Sequence, residues 1–145
     1  MTNYIIPVLL FVSLGAISGL HLLWATGNWW PARDAETLSS CVLGDPTFPG
    51  MAPPAALRLT AAAIAFAAFD GLALGFHFGE IVDKGAAWIG AGLIAVFAVR
   101  GVVGYLPFWR AARPGIVFAK LDKLFYSPYC ILVAEGFFTL VSDRF

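Results

Sequence analysis

Apolar side chains occupy four long stretches of this chain, separated by shorter polar segments. A helix of about 20 apolar residues crosses a hydrocarbon core of roughly 30 Å, where its backbone groups must be hydrogen-bonded within the segment. No stretch alternates polar and apolar positions as a half-buried strand does. The pattern therefore predicts an all-α membrane protein built as a four-transmembrane-helix bundle. The spans are expected at about 4–26, 55–78, 86–108 and 127–142.

A shorter periodic segment precedes the fourth span. Within residues 116–125, apolar positions recur every three or four residues, and Lys120 and Lys123 share the opposite face. This spacing is typical of a helix that lies in the membrane interface. We therefore expect an interfacial amphipathic helix before the fourth span. Ser127 and Pro128 match the N-cap and first position of a helix, so the fourth span is expected to begin there.

Composition supports an integral membrane protein and excludes other classes. Hydrophobic residues make up 60% of the chain and charged residues 12%, with a mean hydropathy of +0.82, whereas soluble domains carry about 25% charged residues. The whole chain, residues 1–145, is expected to form a single integral membrane domain in contact with the lipid bilayer. The formal net charge is zero, so nothing indicates a nucleic-acid partner. The first apolar run is too long for a signal-peptide core, so we expect no cleaved signal peptide.

Basic residues are distributed unequally between the two sides of the predicted bundle. The long loops at 27–54 and 109–127, with the span ends next to them, carry six, whereas the side with the termini and an expected turn at 79–85 carries two. Because cytoplasmic loops are enriched in Lys and Arg, the asymmetry predicts cytoplasmic long loops and outward termini. The six basic residues are Arg33, Arg58, Arg110, Arg113, Lys120 and Lys123.

Each predicted span carries an ionisable side chain. Such groups in hydrocarbon cost roughly 2.5–3.5 kcal/mol each on insertion scales, so they usually face a partner or a cavity. Counting about 1.5 Å per residue from the long-loop side places His21 and Arg100 about 8–9 Å deep and Glu135 about 14 Å deep. Asp70 lies deeper, at about 22 Å. Three of these groups are thus expected in one leaflet.

Side-chain direction predicts which of these groups meet. Long side chains on a helix lean towards its N-terminus. Arg100 therefore leans deeper into the bilayer, and Glu135 leans back towards the long-loop side. We expect Arg100 and Glu135 to form a buried pair, with Asp70 as a candidate second partner.

Aromatic side chains near His21 extend the candidate site. We expect a cavity that opens towards the long-loop side and is covered by Trp29, Trp30 and residues 116–125. A packing role for His21 and an architectural role for the whole polar set remain open alternatives. The candidate ligand-binding or polar-cluster residues are His21, Trp24, Asp70, Arg100, Tyr105, Tyr126 and Glu135.

No cofactor or metal site is indicated. The two histidines, His21 and His77, fall at opposite ends of the predicted bundle, which disfavours a haem held by both. Cys41 and Cys130 match no metal-binding or redox spacing. The sequence also lacks a phosphate loop, an HExxH motif and a Ser-His-Asp pattern. Catalytic residues are therefore unassigned, and whether the protein is an enzyme stays open.

Two stretches carry a resemblance to a known family. The first is residues 21–27 with Trp30 and Pro31, and the second runs from 100–107 through 118–122 to 126–130. Together they resemble a family of small bacterial membrane proteins catalogued as domain of unknown function 3995. The resemblance implies four spans and a location in the bacterial envelope. With the long loops predicted to be cytoplasmic, we expect a multi-pass protein of the bacterial cytoplasmic (inner) membrane. The resemblance implies no activity, substrate or catalytic residue.

These observations support two classes of function. The first is a non-enzymatic module that binds a lipid-like ligand or serves as an accessory subunit. The alternative is an intramembrane enzyme or proton-linked carrier that uses a buried cluster of His21, Arg100 and Glu135. Either class allows a larger membrane complex or a homo-oligomer as partner.

Overall fold

The computed structural model describes residues 4–144, which are mostly helical and include no strand. Four helices are long and apolar enough to cross a membrane, and they confirm the predicted all-α bundle. In chain order the helices are α1 (Ile5–Ala25), α2 (Ala35–Val42), α3 (Pro54–Gly75), α4 (Glu80–Val103), α5 (Pro107–Ala112), α6 (Ile116–Leu121) and α7 (Ser127–Ser142), with a π-helical segment (Asp122–Tyr126) joining the last two.

Two closely packed helix pairs form the bundle, α1 with α3 and α4 with α7. In the first pair, the Ser18 hydroxyl donates a 2.8 Å hydrogen bond to the Ala61 carbonyl. Further along the same pair, the Tyr4 and Phe76 rings stack 5.2 Å apart, so the two helices are antiparallel. We call the end that carries residues 26–53 and 104–115 the loop end, and the opposite end the terminal end.

The core lies where the four long helices meet. Phe137 of α7 is completely buried, and Leu10 of α1 packs against Gly71 of α3. The close approach of α1 to α3 also depends on Gly75, where an added Cβ would overlap the ring of Pro7. Small residues thus let these helices pack closely, as in many membrane bundles.

Large apolar side chains cover the outer faces of the bundle. Ile81 is 89% exposed, and Leu59 and Phe69 are also well exposed. A water-soluble monomer rarely presents so much contiguous apolar surface. These faces are therefore suited to lipid.

The connection between α3 and α4 is shorter than predicted. The expected turn at 79–85 is wrong, because the chain is helical from Glu80 onwards. Gly79, with φ of 111°, turns the chain into the helix. Glu80 and Asp83 then lie in the first turn of α4, where negative charge is favoured. Asp83 also accepts a 3.1 Å hydrogen bond from the backbone N–H of Phe78, which fixes the connection.

The fourth span does not begin at Ser127. The segment at 116–125 is helical, as predicted, but it continues into α7, so that Ile116–Ser142 forms one span-length helix. Ser127 has helical dihedrals and is not an N-cap. Pro128 cannot donate to a carbonyl one turn earlier, and its ring crowds that carbonyl. The chain accommodates it with a π-helical turn, in which the Ser127 N–H bonds to the Asp122 carbonyl five residues earlier.

Candidate functional site

A cavity of about 790 Å³ opens at the loop end of the bundle. All seven helices contribute to its walls, and most of its lining is apolar. Polar and cationic side chains lie on the wall formed by α4, α5 and the residues that follow α5. The lining residues used below are Leu14, Ile17, His21, Trp24, Leu38, Cys41, Ile64, Phe97, Arg100, Trp109, Arg113, Phe118 and Tyr126.

Asp122 is the centre of a buried polar cluster beside this cavity. Its Oδ1 lies 2.8 Å from Arg100 Nη2 and accepts a 3.1 Å hydrogen bond from the Ser127 hydroxyl. Its Oδ2 accepts a 3.1 Å bond from the Trp109 indole N–H. The Asp122 side chain is 2% exposed and that of Arg100 is 31% exposed. The carboxylate is therefore fully paired, while the guanidinium still reaches the cavity.

The predicted pair of Arg100 and Glu135 is wrong. The carboxylate partner of Arg100 is Asp122, which the π-helical turn directs into the bundle. Glu135 lies on the exposed face of α7, opposite Phe137. Its carboxylate makes no hydrogen bond or ion pair with any residue in the range 4–144. Counting along a regular helix gives depth, but it does not fix the direction around the axis.

Asp70 does not pair with Arg100 either. It is buried in α3, with 6% exposure, and its Oδ2 finds no hydrogen-bond partner among the described residues. That oxygen would lie 3.5 Å from a Cβ added at Gly90 of α4, close to Leu74. Asp70 is thus enclosed by the core near the terminal end and lies outside the cavity.

His21 lies on the cavity wall, and one of its two ring nitrogens is already hydrogen-bonded. Its Nδ1 is 2.8 Å from the Ile17 carbonyl, and because a carbonyl only accepts, Nδ1 carries the proton. The Nε2 atom has no partner within residues 4–144. The Trp24 ring lies 4.9 Å from the imidazole, and its indole N–H donates to the Trp30 carbonyl at 2.8 Å. His21 can therefore offer Nε2 to a molecule in the cavity.

Two arginines flank Trp109 on the cavity wall. The guanidinium carbons of Arg100 and Arg113 lie 5.2 and 4.9 Å from the centre of its ring. Arg113 donates a 2.6 Å hydrogen bond to the Leu43 carbonyl and has no carboxylate within 4.0 Å among residues 4–144. Thr47 lowers the pKa of Asp45 by hydrogen bonding, and Arg113 adds a smaller attraction. This wall therefore carries a net positive charge.

The short helix α2 covers part of the cavity mouth. The Tyr126 hydroxyl donates a 3.1 Å hydrogen bond to the Cys41 carbonyl, and Arg113 holds the adjacent Leu43 carbonyl. Asp34 caps the start of α2 by accepting from the Thr37 N–H at 2.7 Å. The predicted roof is therefore only partly right. Residues of α2 and α6 form it, while the two consecutive tryptophans at 29–30 do not line the cavity.

The structure separates the seven candidate residues into two groups. His21, Trp24, Arg100 and Tyr126 line the cavity. Tyr105 is exposed, and its hydroxyl donates to the Lys123 carbonyl at 3.1 Å. With Asp70 and Glu135 it lies outside the lining.

Sequence reasoning missed the cavity residues that lie in presumed loops. Trp109 and Arg113 follow the third span, and Asp122 belongs to a segment that was expected to lie flat in the interface. The available signal was Pro128, because a proline inside a continuous helix displaces the backbone before it. No group of three or more His, Cys, Asp or Glu side chains able to hold a metal ion occurs in the part of the chain that the structure describes.

One family model matches the chain, that described as Protein of unknown function (DUF3995), over residues 14–137. This range includes every cavity-lining residue named above. No curated protein and no solved structure matches the chain.

Proposed function

Because the chain belongs to the DUF3995 family, as its sequence resemblance predicted, and the family's description gives no activity, we propose a function from the cavity. The protein binds an amphipathic, lipid-like molecule with an anionic headgroup. The observation that carries this proposal is an open apolar cavity with two arginines on one wall. Small-molecule sites are typically concave and mostly apolar, with a few placed polar groups, and have volumes of about 300–1,000 Å³.

Charge indicates the chemistry of the headgroup. Arg100 is neutralised by Asp122, so the positive charge in excess belongs to Arg113. A carboxylate or phosphate at this wall would accept from Arg113 and from the exposed part of the Arg100 guanidinium. His21 also lines this cavity, and because its Nδ1 carries the proton, its Nε2 can accept a hydrogen bond from a hydroxyl group of the bound molecule.

The apolar part of the cavity accommodates a hydrocarbon chain. Leu14 and Ile17 of α1 line it together with Ile64 of α3 and Phe97 of α4. These residues extend from the loop end towards the middle of the bundle. Burial of a methylene group there contributes about 0.8 kcal/mol.

Native mass spectrometry of the purified full chain tests the proposal with anionic phosphatidylglycerol, oleate and neutral phosphatidylcholine as probes. We expect both anionic probes to bind more tightly than the neutral one. Arg113→Gln should weaken anionic binding about tenfold, because a charge-assisted hydrogen bond is lost. Lys120→Gln, at an exposed position outside the cavity, is the matched control. Binding that survives both Arg113→Gln and the cavity-filling Ile17→Trp contradicts the proposal.

The alternative function, an intramembrane enzyme or proton-linked carrier, lacks the carboxylate that its proposed cluster contained. Its cluster required Glu135 beside His21 and Arg100, and Glu135 points away from the cavity. No specific contact favours that function over ligand binding. The accessory-subunit hypothesis is independent of the cavity and depends on the outer surface.

We also infer that the protein lies in a bacterial inner membrane with its loop end in the cytoplasm. Support comes from the six basic residues near the loop end and from the general excess of Lys and Arg in cytoplasmic loops. In this orientation the cavity opens close to the cytoplasmic leaflet. An anionic molecule could then enter from that leaflet.

A further inference from the structure

Glu135 occupies an unusual place on the outer surface. It lies seven residues before the end of α7 at Ser142, whereas the span-length helix that contains it begins at Ile116. At about 1.5 Å per residue it is therefore roughly 10 Å inside the terminal end of this helix. Val133, Ala134 and Phe137 form the buried face of α7, and Glu135 points to the other side. A carboxyl group therefore faces outward within the span, nearer to the terminal end.

Lipid is a poor environment for this side chain. Ionisable residues inside spans usually face a partner, a bundle interior or a water-filled cavity. A glutamate side chain is too short to reach the headgroups from a depth of about 10 Å. Within residues 4–144 its carboxylate has no partner. A partner for this carboxylate is therefore expected outside the part of the chain that the structure describes.

Two residues with hydroxyl groups lie on the same outer face of α7 as Glu135. Thr139 donates a 2.9 Å hydrogen bond to the Glu135 carbonyl, and Ser142 donates a 3.0 Å bond to the Thr139 carbonyl. All three residues are exposed. Small hydroxyl residues and hydrogen-bonding side chains are typical of contacts between membrane helices.

Charge complementarity selects the kind of partner. In a symmetric dimer through α7 the same patch meets itself, so Glu135 would face Glu135. Among residues 4–144, no outer face of a second copy offers a cation at the depth of Glu135 either. Of the basic groups in the four span-length helices, Arg58, Lys84, Lys120 and Lys123 lie near helix ends, and His21 and Arg100 lie on the cavity wall. A different protein is therefore the occupant that satisfies this carboxylate.

We propose that the outer face of α7 binds a transmembrane helix of another protein, which presents a basic side chain at the depth of Glu135. This interaction surface makes the protein a subunit of a heteromeric membrane complex. The proposal does not depend on ligand binding in the cavity, since α7 uses opposite faces for the two contacts.

Energy transfer between fluorophores in lipid vesicles tests the proposal with the reconstituted full chain. The probe is a synthetic leucine–alanine transmembrane peptide with one central lysine, and the reference is the same peptide without it. The lysine peptide should associate about tenfold more tightly than the reference, as expected for one interhelical polar contact. Glu135→Leu should abolish this preference, whereas Glu80→Gln, at the exposed start of α4, should retain it.

Glu135→Leu is expected to fold, because its side chain contacts no described residue through a polar group; an unchanged unfolding temperature checks this. Equal association of both peptides with the wild-type protein overturns the proposal. So does a preference that survives Glu135→Leu. Glu135-dependent dimerisation of the chain without peptide also overturns it, since a second copy would then be the occupant.

Discussion

At the scale of single residues, the two buried carboxylates are in opposite situations. Asp122 accepts hydrogen bonds on both oxygens, from Arg100, Ser127 and Trp109. The Oδ2 atom of Asp70 is buried and has no partner among residues 4–144. A buried polar group is costly when unpaired and modestly stabilising when paired. The same truncation should therefore have opposite effects at the two positions.

We expect Asp122→Ala to lower the free energy of unfolding by about 3 kcal/mol, because it leaves a partly buried guanidinium without its carboxylate. Asp70→Ala should raise the free energy of unfolding by about 1 kcal/mol, because it removes an unpaired polar group. Denaturant unfolding in detergent micelles measures both changes, with Asp143→Ala, at an exposed position just after α7, as control. Equal losses at Asp122 and Asp70 would contradict this account.

At the scale of elements, the apolar runs were sufficient to predict the four long helices. They could not predict the π-helical turn, because Ser127 and Pro128 fit a helix start as well as a helix interior. Residue counting placed Arg100 and Glu135 at similar depths, which says nothing about direction around each axis. Packing against the neighbouring helices sets that direction, and it turns Glu135 outward and Asp122 inward.

The contact of α4 with the π-helical segment gives a prediction at this scale. A Cβ added at Gly104 would overlap the Ser127 hydroxyl and lie 2.9 Å from Asp122 Oδ2. Gly104→Ala should therefore lower the free energy of unfolding by about 1–3 kcal/mol, as overpacking does. Gly92→Ala is the matched control on α4, because nothing lies within 4 Å of its added Cβ. Thermal unfolding in micelles measures both, and similar unfolding temperatures for the two variants would refute the steric argument.

At the scale of the whole molecule, the proposed orientation in the membrane rests on the distribution of basic residues and can be tested directly. Glu36 at the loop end and Lys84 at the terminal end are both exposed. In a variant with Cys41→Ser and Cys130→Ala, a membrane-impermeant maleimide should label Lys84→Cys on intact cells. Glu36→Cys should be labelled only after permeabilisation, because the loop end is predicted to be cytoplasmic. The reverse labelling pattern would invert the orientation.

The attachment of α2 across the cavity mouth has a kinetic consequence. Tyr126 and Arg113 hold its C-terminal end through the Cys41 and Leu43 carbonyls. If the cavity binds a molecule as proposed, these bonds hold α2 over part of its mouth and would slow exchange, so their strength would influence the residence time. Tyr126→Phe should accelerate release several-fold while changing equilibrium affinity little, because both entry and exit become faster. Stopped-flow displacement of a fluorescent fatty acid measures the two rates.

Arg113 contributes both to the attachment of α2 and to the charge in the cavity, so an anionic headgroup would compete with the Leu43 carbonyl for the same guanidinium. Arrival of such a molecule would loosen the helix that delays its departure, which favours rapid turnover over long storage.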